Sequence, residues 1–298
     1  MTRRELIRMA GRAALASGLA TRGTATRAAG ALTFCLFSKH LPELTWSDLG
    51  RAVKAAGFDG VDLTVRPQGH VLPERAADDL PRAIDAIKAH GVSVPMITTE
   101  LTSPDAPSAK PILQAAAKSG VRYFKTGYWR YTSSPDVRAQ IAAAGTALKG
   151  LALLARDHGI ELGFHNHAGY IGGALWDIAP AIDQLEPRHA GYYFDPRHAV
   201  AEGGAGAWKS ATYLVAPRLK MLALKDCRWL KSPKGWIVEN CPLGEGMVDL
   251  AWTATAIRDG KFAGPISLHL EYEIPSGTEH TLTAARRDLA VAKKHFAW

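Results

Sequence analysis

Cysteine is scarce here: Cys35, Cys227 and Cys241 are the only three in 298 residues. Three thiols cannot build a disulfide framework, and their spacing matches no zinc-ligand pattern. Cys227 and Cys241 have the option of pairing in an oxidising compartment; buried free thiols are the alternative. Long apolar runs are missing too. The N-terminal apolar stretch is interrupted by Arg12 and falls far short of a bilayer span, so no stable membrane anchor is expected. The glycine-rich Leu243-Gly244-Glu245-Gly246 lacks the lysine of a phosphate-binding loop, which removes that reading. After Ala31 there is no linker and no low-complexity tract.

Acidic residues are also in short supply, 28 against 36 lysines and arginines, for a net charge of +8. Most of that excess is local. Residues 1–30 hold six arginines and one glutamate, which leaves about +3 for the rest of the chain. So small an excess gives no support for a nucleic-acid partner. Within Met1–Ala31, the basic start around Arg3-Arg4 precedes an Ala/Gly/Leu-rich stretch and the small residues Ala28-Ala29-Gly30-Ala31. This is the layout of a signal peptide, and the arginine pair points to the twin-arginine route and a periplasmic destination.

What the chain does have is alternation. β-rich runs at 32–38, 60–65, 92–98, 123–126, 161–164, 191–195, 220–225 and 265–270 are separated by amphipathic stretches. Those stretches fall at 46–56, 80–90, 108–119, 137–158, 178–185, 205–215, 250–259 and 278–296. Segments at Thr45 and Ser134-Pro135-Asp136 read as helix caps, and Gly159 among others sits where a helix should end. Eight such alternations without a composition break predict one closed (β/α)₈ barrel, an α/β fold over residues 32–298. Apolar residues at 47% supply a full core. The irregular stretches Arg66–Asp79 and Cys227–Asp249 follow strands, which places them on the side of the barrel that carries function.

Four of the runs are apolar along their length and polar at the tip. Strand alternation puts His165 and His167 on one face and Asn166 on the other. Asp195, ending a buried strand, needs a cation or a metal ion, or else caps the next segment. Lys225 offers a fixed positive charge for an anionic intermediate, or pairs with Asp226 to orient a loop. His269 and Glu271 share parity on the last strand. The candidate metal ligands are therefore His165, Asp195, His269 and Glu271. Glu271, Lys225 and His198 are the candidate catalytic groups, and Arg66, His70, Asn166 and His167 the candidate substrate contacts. Arg66 and His70 suit hydroxyls or an acid group. Glu100 is a weaker candidate, as are Trp129, Trp176 and Trp229 as stacking surfaces for a sugar.

These segments resemble the xylose isomerase-like TIM barrels, the sugar phosphate isomerase/epimerase superfamily. The resemblance runs from about Leu32 to Trp298. It is carried by GFDGVDLTV at Gly57–Val65, FHNHAG at Phe164–Gly169, FDPRHA at Phe194–Ala199, LKD at Leu224–Asp226, PLGEGMVD at Pro242–Asp249 and GPISLHLEYE at Gly264–Glu273. It implies a divalent ion held by a carboxylate on strand five, an aspartate on strand six, a histidine on strand seven and a glutamate on strand eight. Asp195 matches the strand-six aspartate, and His198 matches a substrate-contacting histidine. His165 stands where the strand-five carboxylate is implied, and Ala223 where the strand-seven histidine is implied. A site this rich in imidazole favours zinc, cobalt or iron over magnesium, with manganese also among the family's ions.

The resulting expectation is a periplasmic, metal-dependent sugar isomerase or epimerase acting on a sugar or keto-sugar. Glu271 or a histidine removes the proton α to a carbonyl, while Lys225 and the metal hold the enediolate. One alternative is a lyase or dehydratase that eliminates a β-substituent from a keto-sugar or 3-keto-glycoside. Another is a non-catalytic sugar-binding barrel, favoured by Ala223. An endonuclease-IV-like nuclease is opposed by the charge and the export signal.

Overall fold

The computed structural model describes residues 32–298, so the expected export signal lies outside the described residues. Among these, no helix is long and apolar enough to cross a membrane. Seven strands come first: β1 (Phe34–Phe37), β2 (Gly60–Val65), β3 (Ser93–Thr99), β4 (Tyr123–Lys125), β5 (Glu161–His165), β6 (Ala190–Phe194) and β7 (Leu219–Leu224). An antiparallel hairpin of β8 (Asp226–Ser232) and β9 (Gly235–Cys241) follows, and β10 (Ile266–Leu268) is the eighth barrel strand. The barrel closes in the order β1-β10-β7-β6-β5-β4-β3-β2, every pairing parallel. The connecting helices are α1 (Trp46–Ala55), α2 (Ala76–Lys88), α3 (Ala109–Lys118), α4 (Val137–His158), α5 (Ala179–Asp183), α6 (Pro196–Val215), α7 (Leu250–Asp259) and α8 (Thr278–Phe296). The expected (β/α)₈ barrel is therefore present in full.

Strands β1, β2 and β6 are buried at every position because helices cover the outside and side chains fill the inside. Alternation sends Met96, Tyr123, Tyr193, Met221 and Ala223 into an apolar cluster separate from the main core. Space there is limiting: a Cβ on Gly163 would lie 2.1 Å from Met221 Cε, so only glycine on β5 admits that methionine. At the same parity the neighbouring positions turn polar. Asp62, Thr98, Lys125, His165, Ser267 and His269 are all buried.

Three segments depart from expectation. Within α6 the expected helix from Ala205 follows a break at Gly204, where φ is 56°, and an additional helical stretch precedes it from Pro196, because Asp195 Oδ1 accepts the His198 N–H at 3.1 Å and Pro196 presets φ in the first turn. α2 starts at Ala76 instead of Leu80, with Asp78 and Asp79 at its electropositive end. Much of Cys227–Asp249, expected as irregular, is the β8–β9 hairpin, paired from Asp226↔Cys241 to Ser232↔Gly235. Cys227 and Cys241 are free, buried thiols.

Asp226 organises the loop beyond this hairpin. Its carboxylate accepts backbone N–H groups from Cys227 at 2.8 Å, Gly244 at 3.1 Å, and Gly246 and Val248 at 3.0 Å. A Cβ on Gly246 would fall 2.2 Å from Asp226 Oδ1, which explains the glycine. Asp226→Ala leaves four donors without their acceptor. Its unfolding free energy is expected to fall by about 3 kcal/mol or more in denaturant titrations. A drop below about 1 kcal/mol would mean that water replaces the carboxylate without cost.

Candidate active site

The tips of β5, β6, β7 and β10 meet at one end of the barrel. Asp195, following β6, is fully buried and serves two purposes. Oδ1 caps α6, while Oδ2 lies 3.3 Å from His165 Nε2, 3.7 Å from His198 Nε2 and 3.2 Å from Lys225 Nζ. Burial by itself would raise its pKa, but Lys225 and the two histidines hold it well below the usual carboxylate range. His165 carries its proton on Nε2, facing that carboxylate, and Nδ1 accepts from the Tyr128 hydroxyl at 2.9 Å; this tautomer is assigned from the hydrogen-bond network. Burial lowers the His165 pKa to about 4, so the ring is neutral at pH 7.

Lys225 follows β7 and joins two strands. Its ammonium donates to Glu271 Oε2 at 2.8 Å while facing Asp195. Glu271, two residues beyond His269, also meets Lys39 Nζ. Burial would raise the Glu271 pKa, yet Lys225, His269 and Lys39 hold it far below the ordinary value. Both His269 and Glu271 line the cavity, which settles the register of the last strand. Lys225 does not take the alternative role of pairing with Asp226.

The expected divalent ion does not fit this arrangement. Protein donors to such an ion stand about 2.0–2.2 Å from it. Here the ammonium of Lys225 lies between Asp195 and Glu271, and Ala223 presents only a methyl group. His269 Nε2 is engaged with the Tyr193 hydroxyl at 3.0 Å. Among the described residues no three His, Cys, Asp or Glu side chains are placed to hold a metal ion. As placed, His165, Asp195, His269 and Glu271 do not converge on one ion, and Lys225 stands beside both carboxylates.

Other expected contacts divide cleanly. Arg66 and His167 line the same cavity of about 100 Å³ as Lys225 and Glu271. Asn166 does not, because it is spent on the backbone of Asp195, accepting its N–H at 2.8 Å and donating to its carbonyl at 2.9 Å. His70 is likewise structural; its ring contacts Thr64 Oγ1 at 3.3 Å and the Leu41 carbonyl at 3.2 Å. His198 stands behind the cavity, with its ring 3.9 Å from that of His167. Its Nε2 is buried without a hydrogen-bond partner. Glu100 pairs with Arg66 at 3.3 Å. Trp129 packs on Phe164, while Trp176 and Trp229 are exposed away from the cavity.

Several site residues are not among the candidates named from sequence. Asp62 on β2 is fully buried and accepts from Thr98 at 2.8 Å, Ser267 at 2.9 Å and Tyr193 at 3.1 Å. Burial raises its pKa to about 6 against the pull of these donors. Lys125 ends β4 and lines the cavity, with Nζ 3.5 Å from the Tyr128 ring centroid. The available signal was a charge at the inward parity of an otherwise apolar strand, in GVDLTV and YFK.

Burial, helped by nearby Arg66, lowers the Lys125 pKa to about 7. An unfolded lysine keeps its proton to about pH 10.4. Between those values the unfolded chain binds more protons than the folded one, so this group makes stability rise with pH across that window. Lys125→Met is expected to be more stable than the parent at pH 7 by roughly 2 kcal/mol or more and to lack this rise. Parallel denaturation series at pH 7 and 9.5 check it; identical slopes for the two proteins would refute it.

The comparisons agree with the architecture. D-psicose 3-epimerase with D-tagatose from Clostridium cellulolyticum H10 superposes with a TM-score of 0.70 at 13% identity, covering 90% of this chain and 100% of that one. The IOLI protein with a bound zinc atom gives 0.71 at 15%, covering 90% and 100%. The 3-keto-D-glucoside 4-epimerase YcjR from E. coli gives 0.68 at 16%, covering 88% and 99%. At such identities the likeness shows the fold. No curated protein matches the chain. The family model described as xylose isomerase-like TIM barrel matches residues 51–295, and the chain belongs to that family.

Proposed function

We propose that this barrel is a sugar isomerase or epimerase that removes the proton α to a carbonyl, with Lys225 as its electrophile. The observation that carries the reading is the Lys225 ammonium, set between Asp195 and Glu271 at the wall of a cavity at the barrel's C-terminal end. Glu271 takes the α-proton, and the electron pair moves onto the carbonyl oxygen. Lys225 then donates a hydrogen bond to that enolate oxygen in a site where water is scarce. Return of that proton by Glu271 to the neighbouring carbon, as the neighbouring hydroxyl passes its proton to the enolate oxygen, isomerises the sugar; epimerisation requires a second donor to protonate the opposite face while Glu271 keeps the proton it took. The chemistry of the epimerases among the structural neighbours supports this reading. The arginine-rich leader supports a periplasmic site of action, where free or oxidised sugars are the natural substrates.

Proton NMR in D₂O with a panel of ketoses and 3-keto-glycosides tests the proposal. Deuterium should enter an α-carbon; a folded protein that exchanges none of the panel would sink it. A product that has lost its β-substituent would move the protein to the lyases. Exhaustive dialysis against EDTA is expected to leave the exchange rate within about 2-fold, because in this reading Lys225 supplies the positive charge. Activity lost on chelation and restored by manganese or zinc would reverse that assignment.

A further inference from the structure

We propose that the cavity takes an anionic sugar, whose carboxylate or phosphate oxygens sit between Lys125 and Arg66. This rests on the sugar-directed reading above and names its substrate class. The cavity is unevenly charged. Lys39, Arg66, Lys125 and Lys225 line it, against Glu271 alone on its wall, with Asp195 buried behind. Lys225 and Lys39 are both satisfied, since they share Glu271 and Lys225 also faces Asp195.

Lys125 is different. It is 3% exposed, and among the described residues its ammonium has neither an ion-pair nor a hydrogen-bond partner. The face of Tyr128 lies against it, while the carboxylates of Glu100 and Asp62 act on it from beyond ion-pair distance. A ring face offsets only about 2 kcal/mol of the cost of burying a cation. An unpaired buried charge is otherwise strongly unfavourable.

Arg66 is also underused. Its Nη1 reaches Glu100 at 3.3 Å, while its Nε is buried with no partner. Two incompletely satisfied cations on one enclosed wall are the donor set that a planar or tetrahedral oxyanion completes. A neutral hydroxyl would supply a hydrogen bond but no charge. The cavity, about 100 Å³, holds roughly the volume of three waters at about 30 Å³ each. It therefore accommodates the anionic group and the adjoining carbons, with the rest of the sugar extending to the rim. Lys225 and Glu271 face the same space, so the anion would be held beside the groups assigned to the proton transfer.

Small probes test this without knowledge of the substrate. Glycolate, inorganic phosphate and the neutral glycolamide are titrated calorimetrically at low ionic strength against the parent, Lys125→Met and Lys125→Arg. Glycolate or phosphate is expected to bind at least about 10-fold more tightly than glycolamide. Lys125→Met should lose that preference, and Lys125→Arg should retain most of it. The methionine variant removes an unpaired charge, so its fold is expected to persist. The stronger of the two anions identifies carboxylate or phosphate as the natural group. Equal affinity for glycolate, phosphate and glycolamide, absence of binding by all three, or a preference that survives Lys125→Met would overturn the proposal. A parent that shows no anion preference yet exchanges the α-proton of neutral keto-sugars would remove the anion seat alone; a parent that shows the preference but exchanges none of the panel would remove the isomerase reading alone.

Discussion

Lys225→Met is expected to lower kcat/KM for α-proton exchange by about 10³-fold, the scale of losing a preorganised donor to a developing oxyanion. The lysine is 4% exposed, so water cannot readily take over its hydrogen bond to the enolate oxygen. Its removal has a second consequence. Asp195 and Glu271 lose a shared counter-charge, and breaking a buried pair of this kind costs about 3–5 kcal/mol of stability. The two effects separate experimentally, because exchange is measured by NMR on protein shown to be folded, and stability by denaturant titration. A loss under about 10-fold in a folded variant would assign the oxyanion to another donor.

Glu271→Gln should be nearly as damaging, lowering the exchange rate by about 10²–10⁴-fold through loss of the base. Lys225, His269 and Lys39 override burial and keep this carboxyl far below its usual pKa, so it stays ionised throughout the neutral range. No acidic limb from Glu271 is therefore expected in the parent's pH–rate profile between about pH 5 and 7. A glutamine cannot accept the proton but preserves size and one acceptor oxygen for Lys225 and Lys39. Near-parental exchange in the variant would move the base elsewhere. His269 is the next candidate by position, since its Nδ1 is buried without a hydrogen-bond partner.

Much of the architecture was legible residue by residue. Period-two alternation and capped amphipathic stretches specify strands and helices locally, and eight repeats of them leave few topologies besides a closed parallel barrel. Parity at Phe164-His165-Asn166-His167 places His165 and His167, which line the cavity, apart from Asn166. It could not show that Asn166 is consumed by the backbone of Asp195. For His70 the same limit holds: a polar residue after a strand has the composition of a ligand whether it faces a cavity or the carbonyl of Leu41. Lys125 and Asp62 are not legible in the sequence, because single charges within short apolar strands carry no motif.

The chain's own pattern determined the barrel, its functional end and the residue types gathered there, since strand parity and strand-end position are local properties. Only the tertiary structure decided what those residues do to one another. Asp195, Lys225 and Glu271 come from three different strands, and the ammonium lies 3.2 Å from one carboxylate and 2.8 Å from the other. Local periodicity encodes direction but not the distance between strands remote in sequence. At the shared site, Coulomb energy depends on that distance and on burial, and it sets Lys225 between the two carboxylates.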